Sequence, residues 1–360
     1  MVIPAANTYF GDKEGHFEIP DRISTLAPGA LDDTPWLTEL TASSSSLRET
    51  ISAPSFQNCD NLKLIDFSAC NYLKSITVDR TAAGNPFYGV SDKTMIYMPS
   101  RPGVAAAQGQ KNVVIGNTAT ELAFTDGYDF VPQKDFTFPS ATYDRVLNAD
   151  KGYTACLPFP ATLVQAGETT ASWKVYEPST IEDVVGVTTV TFTEVANGQM
   201  LAYKPYYIVV STGDVAFSCT GSGSITAGTT SGTTTIDGAS YQFKGTTATI
   251  ANYDLYDAQK PAYTLQSDGW WYKVPQNQPL TYVSPFRAYF QATTPDAASN
   301  LATMFGDSYN PDEGSGTVAI EPVIRTIDSD GTERVFDLSG RRIDGNVKGI
   351  VIRNGQKVVR

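Results

Sequence analysis

The chain has 360 residues, enough for two or three domains, and 41% of them are hydrophobic, so a packed interior is expected. Charged residues make up only 18%, below the rough quarter usual in soluble domains, and the formal net charge is −12. An acidic surface repels phosphate backbones and anionic membrane surfaces, which argues against a nucleic-acid partner, and no apolar run approaches the roughly 18–20 residues of a membrane-spanning helix.

The remaining composition favours strands. Nineteen Tyr, 17 Phe and 29 Gly accompany abundant Thr and Ser. Aromatic and β-branched side chains pack well on a pleated surface, and Gly supplies the tight turns between strands. The expected fold class is mainly β: a short repeat-built part at the N-terminus, an antiparallel β-sandwich-like middle domain and a small C-terminal β-hairpin segment. Met1 to Phe10 has neither a basic flank nor an apolar stretch, so it is not a signal peptide. The chain is read as a form from which a leader has been removed.

Residues 1–100 carry an irregular repeat. Trp36-Leu37-Thr38-Glu39-Leu40, Asn61-Leu62-Lys63-Leu64-Ile65 and Tyr72-Leu73-Lys74-Ser75-Ile76 each place Leu one residue in and Leu or Ile three residues later. The second and third follow Cys59-Asp60 and Cys70-Asn71. A short strand that points two apolar residues inward, followed by a turn at a buried Cys and an Asn, buries a core only when such units stack. The unit Phe56-Gln57-Asn58-Cys59-Asp60-Asn61-Leu62-Lys63-Leu64-Ile65 resembles the BspA-like leucine-rich repeats of Bacteroidetes surface proteins. Asn85-Pro86-Phe87-Tyr88-Gly89, followed by Thr94-Met95-Ile96-Tyr97-Met98-Pro99, is similar to the element that closes such arrays. The resemblance covers roughly residues 16–100, and it implies adhesion or contact with a host or matrix protein or glycan.

Residues 101–135 read as a connector leading into the β domain, because Gly and Pro interrupt Arg101 to Asn112 before Val113-Val114-Ile115 begins a β-rich stretch. Residues 136–300 read as the sandwich-like domain. Strand-like runs at Val187–Val195, Tyr206–Ser211, Tyr241–Phe243, Trp270–Val274 and Arg287–Gln291 are separated by turn residues. Gly221 to Gly238 is almost wholly Gly, Ser, Thr and Ala, and is expected to form a mobile hairpin or long loop. Several short motifs follow one another here: Ala141-Thr142-Tyr143-Asp144-Arg145, Cys156-Leu157-Pro158-Phe159-Pro160, Tyr203 to Ile208, Trp271-Tyr272-Lys273-Val274 and Phe286 to Phe290. In that order they resemble a β-rich module that recurs in large secreted Bacteroidetes proteins and has no assigned activity.

Residues 301–322 read as a polar linker containing Asn310-Pro311-Asp312-Glu313-Gly314. Residues 323–360 form a β-tail with a charge of its own, eight Lys or Arg against five Asp or Glu. Asn354-Gly355 between two alternating apolar runs is a type I′ hairpin signal. The tail resembles in outline the C-terminal sorting domains of type IX secretion substrates, which implies export or outer-surface attachment. A purely structural terminal hairpin is the other reading. Together the resemblances imply a secreted or cell-surface location.

Catalytic constellations are hard to assemble. His16 is the only histidine, and no nucleophile motif lies beside it. Cys59, Cys70, Cys156 and Cys219 contain no C-x-x-C spacing. They allow three pairings, but are read as buried free thiols. Asp328-Ser329-Asp330-Gly331 begins like a calcium loop, yet Glu333 and Ser339 stand where Gly and Glu are required. No cofactor or metal is implied. The candidates for ligand contact are Trp270, Trp271 and Tyr272, because exposed aromatics stack on sugar rings or anchor interfaces, and successive strand residues point to opposite faces. The expected function is non-enzymatic binding or adhesion. The alternatives are a carbohydrate-binding module or a glycan-acting enzyme using two carboxylates.

Overall fold

The computed structural model describes residues 15–305, apart from 22, 50, 52, 53, 150, 185, 220 and 237–239, and the backbone of the strands Val2–Ile3, Val335–Phe336, Ile350–Arg353 and Gln356–Val359. The protein is mainly β, with 43% strand and 2% helix.

Apolar residues on alternate positions of short strands build the first region. His16–Ile19, Glu39–Ala42, Leu64–Asp66, Met95–Met98 and Val113–Ile115 pair in that order, each parallel to the next. The register aligns Leu40, Ile65, Ile96 and Val113 in one row, all with no exposed surface. They face a core that includes Leu37, Phe56, Leu62, Phe67, Leu73 and Phe87. A second row of parallel pairs, Ile76–Val78 with Val104–Ala106, lines the same core. Burying each such side chain contributes about 1.5–3 kcal/mol, and only stacking several short strands provides the cover.

The turns explain the cysteines. The Cys59 thiol donates to the Leu31 carbonyl at 3.0 Å and lies 3.1 Å from the Thr34 hydroxyl, so a small buried group satisfies the preceding turn. Asn61 donates to the Pro35 carbonyl at 2.6 Å and Asn58 to the Asp33 carboxylate at 2.7 Å. Asp33 and Asn58 both adopt positive φ, a conformation that short polar side chains tolerate. Buried Arg80 joins two further turns by donating to the Gln110 side chain and the adjacent Lys111 carbonyl, and to the Thr94 carbonyl. Burial lowers its pKa to about 10.

The outward face of the same strands changes character along the stack. His16 and Glu39 are exposed at its start, whereas Leu64, Met95, Tyr97 and Val114 are buried. Phe124, Phe130 and Phe136 cover those four in one cluster, with Tyr97 and Phe136 rings 6.0 Å apart. The expected connector 101–135 therefore carries structure: Val104–Ala106, Val113–Ile115, Thr118–Ala119 and Leu122–Thr125 are strands. Gly and Pro there make the tight turns of a stack that continues beyond residue 100. Buried Asn112 fastens this junction, donating to the Asp92 and Ala123 carbonyls and accepting from the Ala123 amide, each at 2.8 Å.

The remaining strands form a four-stranded sheet, ordered Leu122–Thr125, Ala141–Leu147, Val215–Ser218, Thr162–Gln165, and a ten-stranded sheet running from Lys151–Ala155 to Ser231–Thr235. The four-stranded sheet shares an apolar cluster with one face of the first strands of the larger one, through Tyr143, Phe217, Tyr206 and Ile208. The opposite face of the larger sheet gathers rings. Trp271 lies 6.1 Å from Tyr207 and 4.7 Å from Phe290, and Phe192 lies 6.0 Å from Phe243. These rings come from strands well separated in the sheet order, so the sheet curls around them.

Two expectations about boundaries change. Asn300–Phe305 is a strand of the ten-stranded sheet, parallel to Val187–Glu194 and antiparallel to Trp271–Lys273, so the sheet extends into the start of the expected linker 301–322. Leu301 and Phe305 hold it in place by burial against the rings. Its few β-branched residues hid it from sequence reading. The segment 221–238, expected as a mobile hairpin or long loop, contains two strands that belong to different sheets: Gly223–Ile225 pairs with Phe136–Phe138, and Ser231–Thr235 pairs antiparallel with the next strand, Tyr241–Thr246. Gly232 is required there, since a Cβ would run into the Tyr203 carbonyl. The backbone of Ile350–Arg353 pairs antiparallel with Gln356–Val359 and with Val335–Phe336. Residues 306–334, including the polar linker motif and Asp328 to Gly331, lie outside the described residues.

Candidate functional site

The aromatic candidates separate. Trp271 is fully buried at the centre of the ring cluster, and its indole N–H donates to the Thr303 hydroxyl at 3.0 Å. Trp270 is half-buried in the turn before the strand. Tyr272 is 39% exposed, and its hydroxyl donates to Asp268 at 2.8 Å. The three do not form one platform: alternation along the strand sends Trp271 into the core and leaves Tyr272 at the surface. His16 is exposed at the far end of the stack, bonded to Thr41 at 3.0 Å.

A different place gathers polar groups. Strand Lys151–Ala155 is the first of the ten-stranded sheet and pairs on one side only, with Tyr206–Thr212. Its other side approaches Arg287–Ala292 through side chains, the Ala288 amide donating to the Thr154 hydroxyl at 3.0 Å. The seam leaves a pocket of about 330 Å³ walled by Arg145, Lys151, Tyr153, Gln266, Tyr282 and Arg287 among others. That volume is at the small end of the roughly 300–1,000 Å³ typical of small-molecule sites. Gly152 fits the seam because a Cβ there would run into the buried Tyr207 hydroxyl.

The two arginines are held differently. Arg287 forms a two-pronged ion pair with Asp126, at 2.8 and 2.9 Å, and donates to the Tyr143 hydroxyl at 2.8 Å. Tyr143 in turn donates to Asp126 at 2.6 Å. Burial works against the Asp126 carboxylate, yet the Tyr143 hydrogen bond and the Arg287 charge together hold its pKa below the ordinary value. Burial pushes the Tyr143 hydroxyl up. Arg145 donates to the Thr154 carbonyl at 3.0 Å and lies over the Tyr153 ring at 5.3 Å. Among the described residues it has no ion-pair partner. Burial, and then the neighbouring Arg287 charge, lower its pKa to about 10. At neutral pH it is a cation without a counter-charge in direct contact.

Among the described residues, none that lines this pocket is His, Cys, Asp or Glu. Among the described residues no group of three or more such side chains comes together to hold a metal ion, and no helix is long and apolar enough to cross a membrane. Sequence reading missed the pocket because its walls come from segments far apart in the chain. Arg145 and Arg287 did fall within two of the ordered motifs, though neither stood out as a site residue. No protein-family model matches the chain, and neither a curated protein nor a solved structure matches it.

Proposed function

We propose that the chain is a non-enzymatic binding protein, secreted or held at the cell surface, in which a leucine-rich-repeat stack supports a β module that carries the ligand pocket. The observation that carries this reading is the seam pocket. It is open and lined by cations, hydroxyls and an amide beside the apolar Leu265, Val283 and Ala288, and among the described residues no lining side chain exchanges a proton near neutral pH. Such a lining favours holding a ligand over transforming it. The run of parallel strands, with Cys and Asn at the turns, supports the repeat reading. The outside location rests on the BspA-like and tail resemblances.

A glycan ligand is favoured over a protein ligand by one feature. Tyr282 lines the pocket and is 52% exposed, which offers a ring face beside hydrogen-bonding groups. The test is to screen the immobilised chain against a glycan array and a panel of matrix proteins, with turnover of each hit monitored. Retention of an unaltered ligand, weakened by Tyr282→Ala, supports the reading. Cleavage of a hit, or binding indifferent to every pocket substitution, overturns it.

A further inference from the structure

We propose that the seam pocket recognises an acidic saccharide, with Arg145 and Lys151 meeting its anionic group. The proposal rests on the reading of this pocket as the ligand site and adds the chemical class of the ligand.

Charge provides the first argument. The chain as a whole is acidic, with a net charge of −12, yet among the described residues this pocket is lined by two Arg and one Lys and by no carboxylate. A concave basic spot on an acidic surface focuses positive potential on a small volume. Asp126 lies behind Arg287 and engages it through both oxygens, so the charge of Arg287 is largely matched. Arg145 and Lys151 are not matched. Neither forms an ion pair among the described residues.

Geometry provides the second. Arg145 is committed on one side to the Thr154 carbonyl and to the face of Tyr153, which fixes the plane of its guanidinium. A planar group with donors to spare suits a carboxylate or sulfate, which accepts two parallel N–H bonds. The Arg287 charge disfavours the neighbouring Arg145 charge, and a bound anion relieves that repulsion. The rest of the wall is suited to sugar hydroxyls, with the Gln266 amide, the Ser267 and Ser284 hydroxyls and the half-exposed Tyr282 ring.

The test measures binding of glucuronate, glucose and inorganic sulfate to the full chain by titration calorimetry and ligand-observed NMR, at low and high salt. Expected are binding of glucuronate that weakens as salt rises, at least tenfold weaker binding of glucose and of sulfate, and a loss of at least tenfold on Arg145→Gln. Lys151→Gln, a change at an exposed side chain, should weaken glucuronate severalfold and keeps the test decisive if Arg145→Gln does not fold. Glucose binding as tightly as glucuronate, with both lost on Tyr282→Ala, overturns the acidic class and leaves the pocket as the ligand site. Sulfate binding as tightly as glucuronate overturns the saccharide part, leaving a simple anion site. Glucuronate binding that neither variant alters removes the pocket from the reading altogether.

Discussion

The parallel stack and the ten-stranded sheet reach a buried core by opposite routes. In the stack each strand pairs with the next one along the same face, and turn contacts such as Asn61 with Pro35 and Cys59 with Leu31 link neighbouring units. In the ten-stranded sheet, Val187–Glu194 pairs with the preceding Ser172–Val184 on one side but with distant Asn300–Phe305 on the other, and Lys151–Ala155 lies beside Tyr206–Thr212. Local pairing leaves a repeating trace in the sequence, whereas distant pairing leaves only apolar alternation. The comparison also concerns folding, because non-local pairs form against a larger loss of chain entropy.

The largest expected effect lies where distant strands meet. Trp271→Ala should cost about 3–5 kcal/mol, read from urea unfolding, because it removes the ring shared by Tyr207, Phe243 and Phe290. A loss under 1 kcal/mol would mean that the curled sheet does not depend on that cluster. Ile65→Ala should cost about 2–5 kcal/mol in the same assay. Both variants should shift a single transition, since one apolar cluster runs from Leu64 and Tyr97 to Tyr206. Two resolved transitions would show that the regions unfold separately.

A smaller change addresses the junction. Asn112→Ala leaves the Asp92 and Ala123 carbonyls and the Ala123 amide without their partner, at a cost of about 1–3 kcal/mol. Hydrogen exchange should then quicken first at Leu122–Thr125 rather than at Glu39–Ala42.

Thiol chemistry distinguishes the buried regions from the surface without mutation. Cys59, Cys70 and Cys156 are buried, and burial raises each thiol pKa, for Cys70 and Cys156 to about 12. Cys219 is only partly buried. A disulfide reagent should titrate one thiol in the native protein and four after denaturation. Rapid reaction of a second thiol in the native state would show that one of these cores opens readily.

The smallest effect concerns pH. The folded-state pKa of Asp126 lies below the ordinary value of about 3.9. The stability it contributes is therefore fully present above that value and is lost as pH falls through the folded-state pKa. Asp126→Asn should flatten the acid limb of the stability curve, and an unchanged limb would show that the ion pair with Arg287 adds nothing.

Part of the stack was legible because Leu37, Leu62 and Leu73 recur, the last two after Cys and Asn at the turns. The mainly β class followed from the aromatic and Gly content. The pocket was not legible, since Arg145, Lys151, Gln266 and Arg287 converge only after the sheet has curled. Nor could the fates of Trp271 and Tyr272 be assigned beforehand. Alternation fixes that neighbouring strand residues face opposite sides, but not which side becomes interior. Asn300–Phe305 escaped notice for a related reason, as two apolar anchors suffice when the sheet supplies the rest.

The gradient from exposed His16 and Glu39 to buried Leu64, Met95 and Tyr97 makes the stack extensible at one end only. A duplicated unit inserted ahead of Glu39–Ala42 would present polar residues outward and need no cover, so the array could be lengthened there without disturbing the pocket. The same insertion between Met95–Met98 and Val113–Ile115 would separate Tyr97 from Phe136 and strip the junction. The number of first units can thus vary while the seam pocket keeps its walls.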